Sequence, residues 1–124
     1  MPLAFSLADM TEKVWQGQVM ALARQLAWKS YHPYRSDKSQ PGWPDIALVR
    51  DRLILLELKT EKGKLSDAQK DWIRRLIAAN AEVYVARPRH LDELARVLQA
   101  RNRSLVTVME QETRELVTPP EEGN

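Results

Sequence analysis

PGWPDIALVRDRLILLELKT, residues 41–60, holds two apolar runs separated by Arg50-Asp51-Arg52. Short runs rich in Ile, Leu and Val, bounded by Pro, Gly and charged residues, read as strands. Residues 45–50 and 53–59 are therefore expected to form two strands. In the second, Glu57 and Lys59 interrupt the apolar pattern just downstream of Pro44-Asp45. Side chains alternate faces along a strand. Ile54, Leu56 and Leu58 share one face, which is wholly apolar and suits a core. Leu53, Leu55, Glu57 and Lys59 share the other, which begins apolar and ends charged.

The connection VRDRL has no Asn-Gly or Gly-X pair, which disfavours a two-residue primed turn. A loop of Arg50-Asp51-Arg52 pairs Val49 with Leu53, Ala47 with Leu55 and Asp45 with Glu57. The two carboxylates then lie directly opposite on one face, with Cβ atoms about 5 Å apart. A loop one residue longer or shorter puts Asp45 on the other face. At that separation two carboxylates repel by about 3 kcal/mol at an effective dielectric near ~20, and sheets avoid like charges placed opposite. A proton, Lys59 or a bound cation relieves the repulsion. Mg²⁺ suits one or two carboxylates completed by water and phosphate oxygens. The plainer alternative is a Glu57–Lys59 ion pair at a strand end, with Asp45 an unrelated loop residue. Lys59, one pleat beyond Glu57, can hold a water or phosphate oxygen and offset charge in a pentavalent transition state. As a set, these are the parts of metal-assisted phosphodiester hydrolysis.

The rest of the chain supplies the frame. Its 124 residues suit one domain, 1–124, with a modest core. The absence of cysteine excludes disulfides and thiolate metal sites and fits a reducing, cytoplasmic setting. No apolar run approaches the roughly 20 residues of a membrane span, and the first ten residues lack the features of a signal peptide. Net charge is only +2, but basic residues cluster at Lys29, Arg35 and Lys38, at Lys59, Lys62 and Lys64, and from Arg87 to Arg103. Such clusters are either solvated surface or phosphate-binding faces.

Asp9-Met10-Thr11-Glu12 reads as the start of a helix running to about Lys29, with Trp15, Val19, Leu22 and Leu26 as its buried stripe. Glu12 either closes a capping box with Asp9 or, sharing the face of Trp15 and Val19, reaches the sheet. Residues 31–44 read as a loop. In it His32 is either an ordinary loop histidine or a phosphate contact, and Trp43 either packs over the start of the strand or stacks on a base. Ser66-Asp67-Ala68-Gln69 begins a second helix in a capping-box pattern, burying Trp72, Ile73, Leu76 and Ile77 and ending near Asn80. Residues 82–86 form a strand, 90–100 a third helix, 104–109 a last strand, and the tail TPPEEGN is expected to fray. The expected fold is α/β, a small mixed sheet flanked by helices in the order α-β-β-α-β-α-β.

Pro44-Asp45, eleven further residues, and Glu57-Leu58-Lys59 resemble the PD-(D/E)XK nuclease signature. With TEKVWQGQVMALARQLAW, YHPYRSDKSQPGWPDIALVR, LILLELKTEKGKLSDAQKDWI and AEVYVARPRHLDELARVL around it, the chain resembles the VRR-NUC branch of that superfamily over about residues 11–98. The resemblance implies a restriction-endonuclease-like core, Mg²⁺ dependence with Mn²⁺ substituting, and structure-directed DNA cleavage. Carried over by position, Asp45, Glu57 and the Leu58 carbonyl would hold metal and Lys59 would be the catalytic lysine. Glu12 would match the helix glutamate, acting through water. Gln69 would match the glutamine that begins the following helix, and its alternative is the cap with Ser66. His32, Arg35, Lys38, Ser39, Lys62 and Lys64 are the candidates for contact with DNA. Small members of this branch look like homodimers that act on four-way (Holliday) junctions, so branched DNA and a second copy are the expected partners, with neither a membrane nor a small-molecule substrate. The alternatives are a nuclease for flaps or linear duplex and a non-catalytic DNA-binding or assembly module. Ala27 departs from the glycine that related chains often carry before the tryptophan. Residues from about 103 to 124 fall outside the match and read as an extension suited to dimerisation.

Overall fold

The computed structural model describes residues 6–33, 40–103 and 107–119. After a 3-10 turn at Leu7–Asp9 come α1 (Glu12–Gln25), β1 (Lys29–Tyr31), β2 (Ile46–Val49) and β3 (Leu53–Leu58). They are followed by α2 (Asp67–Ala78), β4 (Val83–Ala86), a 3-10 turn at Pro88–His90, α3 (Leu91–Gln99) and α4 (Val108–Val117). The strands form one sheet in the order β1-β2-β3-β4, antiparallel except for the parallel β3–β4 pair. This is the expected class, a mixed α/β fold with a small sheet flanked by helices, compatible with a restriction-endonuclease-like core. A parallel pair needs a crossover, and α2 supplies it.

The alternation read from β2 and β3 divides the core in two. Ile46, Leu48, Ile54, Leu56 and Leu58 pack with Trp15, Val19 and Ala23 of α1 and with Leu94, Val97 and Leu98 of α3. On the opposite face Leu55, Val83 and Val85 pack with Ile73 of α2 and Val117 of α4. Each fully buried aliphatic chain contributes about 1.5–3 kcal/mol, so this register is held from both sides.

Three expectations need correction. Helix α1 ends at Gln25 rather than near Lys29, because Ala27 takes φ +68 and turns the chain into β1. Strand β1 stands where only loop was expected. It is a three-residue edge strand, exposed throughout, and so has no apolar alternation to read. Val108 and Met109 belong to a helix rather than a last strand, and Thr107 caps it, its Oγ1 accepting from Glu110 N at 2.9 Å. Ser104–Val106 lie outside the described residues. The order is therefore α-β-β-β-α-β-α-α. Helix α4 also closes the far edge of the sheet, since Thr113 Oγ1 accepts from Val85 N at 2.9 Å.

Candidate active site

The observed pairs Ile46↔Leu56, Ala47↔Leu55, Leu48↔Ile54 and Val49↔Leu53 are those of the three-residue loop. One further step in the same register sets Asp45 against Glu57. Leu58 N–H lies beyond the last of these pairs, and Asp45 Oδ2 accepts from it at 2.8 Å. The carboxylate takes the place of a ladder carbonyl. A strand residue sends its N–H and C=O to the same side, so the Leu58 carbonyl also leaves toward β2. Asp45 is thus tied to the Glu57-Leu58-Lys59 strand rather than being an unrelated loop residue.

Glu57 is buried under the first turn of α2. Its Oε2 accepts from Gln69 Nε2 at 3.0 Å and lies 4.0 Å from Lys59 Nζ. Gln69 Oε1 accepts from Ser66 N at 2.8 Å, and Ser66 Oγ accepts from Gln69 N at 3.1 Å. The capping-box reading of Gln69 holds, and the amide that closes the box with its oxygen also donates from its nitrogen to Glu57.

The strand directions gather these groups at one rim. Strands β1 and β3 run the same way, β4 runs parallel to β3, and β2 starts where they end. The carboxyl ends of strands are where open α/β sheets bind ligands. His32 follows β1 at this rim, exposed, with its Nε2 3.0 Å from Gln16 Nε2. Trp15 Nε1 donates to Ala86 O at 2.9 Å, anchoring the first turn of α1 to the same end. Glu12 opens that turn but is exposed, and its helix packs on the face opposite Glu57. Its capping-box reading is corrected: Thr11 is the cap, its Oγ1 accepting from Val14 N at 3.2 Å. Among the described residues no three carboxylate or imidazole groups converge closely enough to hold one ion. Lys62 and Lys64 are exposed on the loop after Lys59. Arg35, Lys38 and Ser39 lie outside the described residues.

Sequence reasoning missed what braces this rim. Arg87, buried just after β4, donates from Nη1 to Thr60 O at 2.6 Å and Gly63 O at 2.7 Å, wrapping the turn that follows Lys59. Burial first, then the Arg89 charge, lowers its proton affinity. Gly63 lets the turn lie close: a Cβ there would sit 3.1 Å from Thr60 Oγ1 and 3.4 Å from Lys59 Cδ. Gly42, at φ +93, approaches α2 so nearly that a Cβ would fall 2.5 Å from Ala68 C. The sequence signal for both glycines was their place beside Asp45 and Lys59, and Arg87 had none beyond following a strand.

A family model for the VRR-NUC domain matches residues 7–90, more than half of the chain. The chain belongs to the VRR-NUC family. This is a nuclease-type, DNA-processing domain, and the family implies DNA as a partner. The match spans α1 through β4 and takes in Asp45, Glu57 and Lys59, while α3 and α4 lie beyond it. No curated protein and no solved structure matches the chain. Two half-open clefts of about 350 and 390 Å³ lie at the opposite end of this VRR-NUC domain, around Arg52 and Arg50, and neither is lined by Asp45, Glu57 or Lys59.

Proposed function

We propose that this VRR-NUC protein is a Mg²⁺-dependent, structure-selective DNA endonuclease that cleaves branched DNA such as four-way junctions as a homodimer, with Mn²⁺ able to substitute. The observation that carries this reading is the hairpin register: it sets Asp45 one step beyond the Ile46↔Leu56 pair, opposite Glu57, with its carboxylate on the Leu58 amide. Two carboxylates and a backbone carbonyl are hard oxygen donors, the set Mg²⁺ takes when water and phosphate oxygens complete it. Asp45, Glu57 and the Leu58 carbonyl would hold the ion, and Glu12 would contribute through water. When bound, the metal supplies charge to a scissile phosphate and acidity to a water.

The chain's own groups do the rest. Gln69 fixes the Glu57 carboxylate through its amide nitrogen. Lys59 carries a positive charge beside it, suited to orienting a water or a phosphate oxygen and to offsetting negative charge as the phosphorus becomes five-coordinate. Lys62 and Lys64 extend that charge along the rim for the DNA backbone. A two-fold homodimer would match the paired strands of a symmetric junction.

The test is a cleavage panel of four-way junction, splayed arm, flap and linear duplex at one salt concentration, with and without Mg²⁺. Nicking of the junction is expected only with metal. Lys59→Ala and Asp45→Ala should each lower it by at least about 100-fold while leaving the unfolding midpoint of Lys59→Ala near that of wild type. Brisk cutting by either variant would refute the assignment. Tight junction binding with no turnover in any metal would favour the non-catalytic alternative.

A further inference from the structure

Four tryptophans divide into two kinds. Trp15 and Trp28 are buried and donate their indole N–H groups to Ala86 O and Leu98 O. Trp43 is 38% exposed and meets half-buried Trp72 edge to face, with centroids 5.0 Å apart and planes at 88°. Both rings hang from segments that supply the candidate site. Trp43 lies two residues before Asp45, and Trp72 lies on α2 three residues beyond Gln69. The Trp43 segment is gripped from both sides, by Gly42 against the α2 backbone and by buried Pro44. An exposed indole held by its neighbours loses little side-chain freedom when it stacks on a ligand.

We propose that Trp43, backed by Trp72, is a stacking subsite for a DNA base outside the double helix, so that the rim takes DNA at a branch or single-stranded tail. The proposal rests on the nuclease reading for its ligand class. Inside a duplex both faces of a base are covered by neighbouring pairs, and an indole reaches a face only where the base is unpaired or extruded. Aromatic side chains are sequence-tolerant platforms because every base has a π-face, and the exposed Lys62 and Lys64 add the charge that tracks a backbone.

The experiment measures binding in EDTA, where no cleavage occurs, at one salt concentration. A splayed-arm DNA with 2-aminopurine at the first unpaired position is compared with a duplex of equal length closed by hairpins. Wild type, Trp43→Ala and Trp43→Phe are titrated by anisotropy and by 2-aminopurine quenching. The expected result is that Trp43→Ala weakens splayed-arm binding about 5- to 150-fold, loses the quenching and leaves the closed duplex unchanged, while Trp43→Phe keeps most of both. An equal loss on both DNAs, no loss on either, or an unquenched wild-type complex overturns the proposal. If Trp43→Ala does not fold, the wild-type quenching and Trp43→Phe decide it. A normal stacking signal together with normal cleavage by Asp45→Ala would sink the assigned nuclease site and leave this subsite standing. Loss of cleavage by Asp45→Ala with no Trp43 effect would do the reverse.

Discussion

Ala27 closes α1 in a conformation that suits glycine. At φ +68 it lets Trp28 N bond to Ala23 O at 2.9 Å and its own N bond to Arg24 O at 3.1 Å, the paired bonds of a Schellman cap. Asn80 does the same for α2 at φ +65, with Ala81 N on Leu76 O and its own N on Ile77 O, both at 2.9 Å. Asparagine tolerates that region and alanine does so less well, at a cost of about 1–2 kcal/mol. The departure from glycine read in the sequence is therefore a strained position. Ala27→Gly should stabilise the protein by about 0.5–1 kcal/mol once glycine's greater freedom in the unfolded chain is subtracted. Urea unfolding reads this directly, and a lower midpoint would contradict the account.

Among the elements, the β2–β3 hairpin does more than set register. Arg50 donates to Leu26 O and Ala100 O, and Arg52 to Ala100 O and Val97 O, so the two side chains hold the carbonyl ends of α1 and α3. Both guanidinium groups lie over Trp28, at 4.5 and 5.4 Å from its ring. Arg52 Nε also donates to buried Glu82 at 2.8 Å, whose other oxygen accepts from Tyr84 Oη at 2.5 Å. Burial, then the Glu82 hydrogen bond, pushes the Tyr84 hydroxyl far above its usual pKa and keeps it a donor. Arg52→Ala would leave Glu82 buried beside Tyr84 alone and should cost about 3 kcal/mol, read by denaturant unfolding; a change under about 0.5 kcal/mol would mean the pair is idle. The hairpin was legible because its loop lacks turn dipeptides and its apolar alternation fixes one register. Helix α4 was misread because Leu105, Val106, Thr107 and Val108 mimic a strand, although Thr107 followed three residues later by Glu110 was a cap signal in plain view. Edge strand β1 gave no signal at all, since pairing with β2 and not burial defines it.

At the scale of the whole molecule, α4 is bound to the rim it does not line. Glu112 Oε2 accepts from His90 Nε2 at 2.6 Å and from Arg89 Nη2 at 2.7 Å, and Arg89 reaches on to Glu61 at 3.1 Å. Arg87 N donates to His90 Nδ1 at 2.9 Å, so the ring proton sits on Nε2 and points to Glu112. Burial alone would raise the Glu112 pKa, but the hydrogen bond from His90 and the nearby positive charges outweigh it and hold the carboxyl below the usual glutamate value. A depressed carboxylate contributes stability that is full above its unfolded pKa and is lost as pH falls through its folded one. The melting temperature should therefore decline on acidification below about pH 4.5, and Glu112→Gln should flatten that part of the curve; identical profiles would exclude Glu112 as a source. The candidate site was legible in part for a related reason. Asp45, Glu57 and Lys59 are fixed by alternation along two strands, which a sequence displays. Arg87, Gln16 and the packing of Gly42 depend on segments that meet only after folding.

Apart from Lys59 beside Glu57 and the exposed Arg24, Arg96 and Arg101, basic side chains of the described residues divide by kind. Arg50, Arg52, Arg74 and Arg87 are committed to backbone carbonyls, and Arg75, Arg89, Arg103 and Arg114 to carboxylates. Lys13, Lys29, Lys62 and Lys64 point into solvent. Reagents that discriminate between amines and guanidines would thus separate adhesion to a polyanion from architecture. Acetylating the amines should release DNA from a protein that still melts normally, whereas capping the guanidines should unravel it before its hold on phosphate could be measured.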